Sequence, residues 1–105
     1  MAKVIWNKQA ETEWRKRLLY GLDEFGEIVE IGAGTVGYVD SEISEEFREI
    51  FNQHQFIISK GMGNYEGLTE IDLSNKEVYF LLCAKCTTIA KDIGVNLHDM
   101  LLFKK

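Results

Sequence analysis

The strongest constraint on this chain is the alternation of short β-prone runs with segments rich in helix formers. Lys3-Val4-Ile5-Trp6 is β-prone, and Gln9 to Tyr20 is charged, helix-forming and stopped at Gly21. Glu27-Ile28-Val29-Glu30-Ile31 alternates polar and apolar side chains and runs into Gly32, Gly34 and Gly37. Ser41 or Ser44 can cap a following helix, where Glu45 and Glu46 suit the positive N-terminus and Ile43, Phe47, Ile50 and Phe51 form the apolar stripe; it should end near Asn52. Phe56-Ile57-Ile58-Ser59 reads as a third strand, with Lys60-Gly61-Met62-Gly63-Asn64 as a loop at its carboxyl end. Val78 to Leu82 is a fourth strand and Thr87 to Ile93 a helix stopped by Gly94. Met100 to Phe103 is a last strand, with Lys104 and Lys105 trailing into water.

This order predicts a three-layer α/β/α fold with a mainly parallel sheet. The 105 residues suffice for a single small domain, 1–105, and the 46 % apolar content can supply its core. No repeat, linker or low-complexity tract interrupts it. Ligands of such sheets bind beyond the carboxyl ends of the strands, which singles out the Gly32 to Gly37 loop, the Lys60 to Asn64 loop and the Cys83 to Cys86 segment.

Charge and cysteine usage exclude several classes of function. Seventeen acidic against 12 basic residues give a net charge of −5, which disfavours nucleic acid as a partner. No apolar run is long enough to span a membrane, and the N-terminus lacks the pattern of a signal peptide, so a cytoplasmic protein with no membrane partner is expected. Two cysteines are too few for a disulfide scaffold and should be reduced.

Each candidate motif has two readings. Gly32-Ala33-Gly34-Thr35-Val36-Gly37 matches G-x-G-x-x-G after a strand, yet the acidic residue expected about 20 positions on is replaced by His54-Gln55-Phe56-Ile57-Ile58-Ser59. A flexible loop or anion turn is the better reading. Cys83-Ala84-Lys85-Cys86 is a C-x-x-C at a strand-to-helix junction, without the proline that thioredoxin chemistry requires and without a second pair for zinc. It reads as two buried, reduced cysteines flanking a functional or structural lysine. His54 and His98 lack ligand spacing and read as surface or capping residues.

Lys60-Gly61-Met62-Gly63-Asn64-Tyr65-Glu66 is the most informative segment. Its glycines permit close backbone approach and positive φ, Lys60 offers a point charge, and Asn64 both donates and accepts, a set suited to a phosphoryl group. An ordinary glycine turn with a solvated lysine explains the same residues equally well.

Ile57-Ile58-Ser59-Lys60-Gly61-Met62-Gly63-Asn64-Tyr65-Glu66, followed by Tyr79-Phe80-Leu81-Leu82-Cys83-Ala84-Lys85-Cys86 and Ile89-Ala90, resembles a known signature. It is similar to the C-terminal pattern I-S-K-G-Q-G-N-[FY]-E and Y-F-L-L-K-A-K-C-P-V-I-A of the metal-dependent damage-control phosphatases, also called domain of unknown function family 89. Weaker similarity runs upstream through Gly32, Gly37 and Ser44-Glu45-Glu46-Phe47, so the resemblance covers most of residues 20 to 103 and is to the C-terminal α/β portion of a family whose members are considerably longer.

The resemblance implies that Lys60, Gly61, Gly63 and Asn64 lie at the active site and that Lys85 binds the substrate phosphate. It also implies a divalent metal, which the family holds with an Asp-Asn pair in D-N-x-G-E and a later aspartate in an N-D-A-T-like stretch. This chain contains no Asp-Asn pair, and the later stretch reads Asn7-Lys8-Gln9-Ala10-Glu11-Thr12, with Glu11 the only stand-in. The family's proline after the last cysteine is Thr87 here.

Two functions are therefore expected as alternatives. One is a phosphatase-family hydrolase domain that binds the phosphoryl group of a small phosphorylated metabolite and is completed by a metal-bearing partner subunit supplying Mg, Mn, Co or Ni. The other is a non-catalytic anion-binding or regulatory domain. In either case the chain alone has no metal ligand set, and a homo-oligomer or partner subunit is expected to cover apolar surface that longer relatives bury.

Overall fold

The computed structural model describes residues 2–6, 24, 26–32 and 35–105. The helix expected over Gln9 to Tyr20, the Asn7 to Thr12 stretch with Glu11, and Gly34 lie outside the described residues.

The fold is built around β4 (Glu77–Cys83), whose Val78, Phe80 and Leu82 face inward and are buried. β3 (Phe56–Lys60) pairs with it in parallel, Phe56 opposite Glu77 and Lys60 opposite Leu81. β5 (Met100–Lys104) pairs on the other side, antiparallel, with Leu102 opposite Leu81. The remaining strands, β1 (Ala2–Trp6) and β2 (Gly26–Glu30), form a separate parallel pair. Among the described residues two of the three strand pairings are thus parallel, as the alternating sequence pattern implies, and the three-stranded sheet is mixed.

β5 runs backwards for a local reason. The segment after α3 (Thr87–Ile93) returns the chain to the end of β4 that it left. Gly94 ends this helix in the left-handed conformation at φ 85°, its N–H on the Ala90 carbonyl at 2.9 Å. The Asn96 N–H then bonds Asp99 Oδ2 at 3.0 Å, and the His98 N–H bonds the Ala84 carbonyl at 2.7 Å. Met100 therefore starts opposite Cys83, and the strand can only run antiparallel.

α1 (Glu45–Gln53) opens where the sequence places it. Ser44 is the N-cap, its Oγ accepting the Phe47 N–H at 3.1 Å, and Glu45 and Glu46 occupy the first turn. Its last turn carries no basic residue, so Lys76, from a later loop, donates to the Phe51 and His54 carbonyls at 2.7 Å each. His54 is the C-cap, and its Nδ1 bonds the Ile50 carbonyl at 2.7 Å, which bears out a capping role.

The largest departure from expectation is α2 (Met62–Leu68), where the sequence reads as a loop. Gly63 and Gly67 are poor helix formers, but both stand where other backbone comes too close for a side chain. A Cβ on Gly63 would lie 3.0 Å from the Val36 carbonyl oxygen, and one on Gly67 would overlap the Tyr38 carbonyl. Tyr65 and Leu68 are buried on the opposite side. Tertiary packing thus overrides propensity.

All three described helices contribute to one core. Phe47, Tyr65, Leu68, Ile89 and Ala90 pack with Val78, Phe80 and Leu82, and Ile31 joins them from beyond β2. Tyr65 meets Phe80 edge-on with ring centroids 5.1 Å apart, and Phe103 closes the same aromatic group at 5.7 Å from Phe80.

Candidate functional site

Lys60 is the last residue of β3, and Gly61 after it is the N-cap of α2. Gly61 adopts φ 109°, a region a side chain rarely enters, and an added Cβ would meet only open space. The turn is closed by the Gly61 N–H on the Leu81 carbonyl at 2.9 Å and by Asn64 Nδ2 donating to the Lys60 carbonyl at 2.9 Å. Asn64 therefore spends part of its donor capacity on holding Lys60 in place.

Lys85 follows β4 by two residues, just before Cys86, the N-cap of α3. Lys60 is paired with Leu81, and Lys85 lies four positions beyond it, past the end of β4 and a tight turn in which the Lys85 N–H bonds the Cys83 carbonyl at 3.0 Å. Both lysines are exposed, and both stand at the carboxyl end of the parallel pair β3/β4, where α2 and α3 begin.

The glycine loop after β2 reaches the same end. Gly37, at φ 86°, is stacked so closely on the first turn of α2 that a Cβ there would lie 2.5 Å from the Gly63 carbonyl carbon. Val36 and Gly37 are thus brought against the Lys60 to Asn64 turn, and Gly63 is the contact surface between them. Beside this contact, an open depression of about 470 Å³ is lined by Val36, Tyr38, Gly63 and the carboxylates of Asp40, Glu66 and Glu70. A second, about 310 Å³, lies between Tyr38, Asp40, Arg48 and Lys76. Neither contains Lys60 or Lys85, and the carboxylates make the first unsuitable for an anion.

Cys83 and Cys86 are free, as expected, but half-buried rather than buried. The correction follows from strand parity: Cys83 is on the side of β4 opposite Phe80 and Leu82. Backbone N–H groups of Ile89 and Thr88, with the Thr88 side chain, hold the Cys86 thiol below its usual pKa. His98 is exposed and takes a positive φ of 73° in the turn before β5.

Two residues of structural weight escape the sequence reading. Tyr65 is 2 % exposed; its hydroxyl donates to Asp92 Oδ2 at 2.6 Å and accepts from Lys105 Nζ at 3.2 Å. The spacing Met62, Tyr65, Leu68 is the helical signal that would have found it. Lys76 carries no such signal, because its partners are carbonyls 22 and 25 positions away.

Among the described residues, no group of three or more His, Cys, Asp or Glu could hold a metal ion. No helix among the described residues is long and apolar enough to cross a membrane.

The profile of the damage-control phosphatase ARMT1-like domain matches residues 2–101. An uncharacterized protein of Methanocaldococcus jannaschii is 42 % identical over 85 residues, 80 % of this chain and 28 % of that protein. A damage-control phosphatase of Archaeoglobus fulgidus is 43 % identical over 74 residues, 70 % of this chain and 25 % of its own length. The crystal structure of a DUF89 family protein from Pyrococcus horikoshii superposes with a TM-score of 0.80 at 34 % identity, covering 98 % of this chain and 37 % of that one. The chain thus spans about a quarter of the length of the curated relatives it matches. A shared strand–turn–helix order and a match along nearly the whole sequence lead to one conclusion: the chain belongs to the damage-control phosphatase ARMT1-like domain family.

Proposed function

We propose that this chain is the phosphoryl-binding portion of a phosphatase-family domain, with Lys60 and Lys85 as the residues that take the phosphoryl group of a small phosphorylated metabolite. The observation that carries this reading is the shared position of the two lysines at the carboxyl end of β3/β4, each directly before the start of a helix. Gly61 gives the turn its conformation, Gly63 lets the glycine loop pack on it, and Asn64 holds the Lys60 carbonyl. Two ammonium groups converging on one site repel each other at rest. A phosphate relieves that repulsion and accepts charge-assisted hydrogen bonds of roughly 1.5–3 kcal/mol each.

Hydrolysis asks for more than these residues offer. The divalent metal that the family resemblance implies has no ligand set among the described residues, so no catalytic step is assigned to them. This favours, as a second reading, an anion-binding domain without catalysis of its own. Thermal unfolding in inorganic phosphate tests the binding common to both: the melting temperature should rise by a few degrees, and Lys85→Ala should remove most of the rise while leaving the ligand-free value nearly unchanged. A melting temperature indifferent to phosphate in both proteins refutes it. Metal-dependent hydrolysis of p-nitrophenyl phosphate by the purified chain would decide against the non-catalytic reading.

A further inference from the structure

The three-stranded sheet has one face that no described helix covers. Val78, Phe80 and Leu82 point into the core that α1, α2 and α3 share, so the alternate residues of β4, and those in register on β3 and β5, point away from it. That outer face is largely apolar, with Lys60, Glu77 and Lys104 on it as well. Phe56 and Ile58 on β3 are 58 % and 63 % exposed, Leu81 on β4 39 %, and Met100 and Leu102 on β5 84 % and 67 %. The register places Leu81 directly opposite Leu102, and Phe56 and Tyr79 have ring centroids 5.5 Å apart, so these side chains form one patch. A parallel β–α–β unit such as β3–α2–β4 ordinarily has cover on both faces, and a sheet face meant for water alternates to polar residues. Here three of the outer positions, Lys60, Glu77 and Lys104, are charged, while Phe56, Ile58, Tyr79, Leu81, Cys83, Met100 and Leu102 do not alternate to charge.

We infer that this face is the seat of the further polypeptide that ARMT1-like proteins carry beyond the portion matched here. The length of the relatives carries the choice of occupant. The DUF89 protein of known structure retains this fold at a TM-score of 0.80, yet this chain covers only 37 % of it, so more residues lie outside the shared portion than within it. A second copy fits less well. Three strands about 4.8 Å apart, with five residues at about 3.3 Å each, present a face of roughly 15 by 17 Å. That footprint is far below the ~800 Å² per partner of a standard interface. A larger polypeptide can continue around the sheet edges, where two copies meeting on this face cannot.

The placement also deepens the phosphoryl-binding reading and in this respect rests on it. Lys60 belongs to the outer side of β3 with Phe56 and Ile58, opposite Leu81. A polypeptide seated on the patch therefore ends beside Lys60 and can bring its own side chains to that end of the sheet.

Co-production in one cell tests the inference. This chain, tagged, is expressed with the part of the Archaeoglobus fulgidus damage-control phosphatase that it does not match, and complexes are sized by light scattering. A one-to-one complex is expected. Ile58→Asp and Leu102→Asp should each weaken it at least tenfold, whereas Val36→Asp, exposed elsewhere, should leave it intact. Both outer-face side chains are mostly exposed, so the variants should keep the melting temperature of the parent. Independently, the purified chain should bind the dye anilinonaphthalene sulfonate, and Leu102→Asp should halve the signal. No complex, a complex indifferent to both aspartates, a dimer of the chain that Ile58→Asp dissociates, or absence of dye binding would each overturn the inference. Phosphate is omitted throughout, so failure here is separate from failure of the phosphate response.

Discussion

The hydroxyl of Tyr65 donates to Asp92 Oδ2 at 2.6 Å, and so ties the helix that opens at Gly61 to the helix that follows Lys85. The two lysine-bearing turns share a brace 27 positions apart in sequence. Tyr65→Phe keeps the ring in the core beside Phe80 and removes the brace together with the hydrogen bond from Lys105 Nζ. It is expected to cost about 1–2 kcal/mol, because Asp92 is exposed and regains water, and urea unfolding measures it. A larger loss would mean that the ring itself had moved.

Glycine substitutions should separate two different demands of the turn. Gly61→Ala meets no atom but must hold φ 109°, a strain of about 1–3 kcal/mol. Gly67→Ala drives a methyl group into the Tyr38 carbonyl, where backbone would have to yield, and should be the more damaging by denaturant midpoint. Equal midpoints for the two would contradict the close packing of α2.

Stability should fall as pH rises above about 10. Burial, with the hydrogen bond to Asp40, pushes Tyr38 up from its usual value of 10, and burial, with the bond to Asp92, does the same to Tyr65. Folding therefore retains protons that the unfolded chain releases above that value. The stabilisation is complete below it and is lost as pH climbs toward the folded values. Burial lowers Lys76, which acts in the opposite sense below 10.5 and softens the decline. Tyr38→Phe should flatten the alkaline limb of a melting-temperature profile; an unchanged limb would refute the assignment.

Cys86 should alkylate with iodoacetamide faster than Cys83 near neutral pH. Both are half-exposed; the Cys86 thiolate is stabilised by the N–H groups of Thr88 and Ile89 and by the Thr88 side chain, whereas the Cys83 thiol donates to the His98 carbonyl at 3.6 Å. Thr88→Val should slow it, and peptide mass mapping of the time course distinguishes the two sites.

Strand positions were legible because each strand is a short run of β-branched and aromatic residues between charged or glycine-bearing segments; Phe56–Lys60 and Met100–Lys104 each differ from expectation by one residue. Helix ends were legible where a residue acts locally, as Ser44 and Gly94 do. What sequence pattern could not supply was long-range. The glycines that make Met62–Leu68 look like a loop are required by Val36 and Tyr38 backbone about 30 positions upstream, and the reversal of β5 depends on how Asn96–Asp99 turns. The lysines of the candidate site were found through the segments around them. The sequence could not tell that the thiol of Cys83 lies away from the core, since that depends on which side of β4 the helices choose.

The stacking of Gly37 on Gly63 has a mechanical consequence. With no side chain to act as a cushion, Val36–Gly37 and the first turn of α2 are packed as one block, and neither can close over a ligand without carrying the other. Any adjustment to the shape of a bound molecule then falls to the long, flexible stems of Lys60 and Lys85. A rigid frame with two adaptable tips grips a small common group on differently shaped bodies better than it discriminates among the bodies themselves.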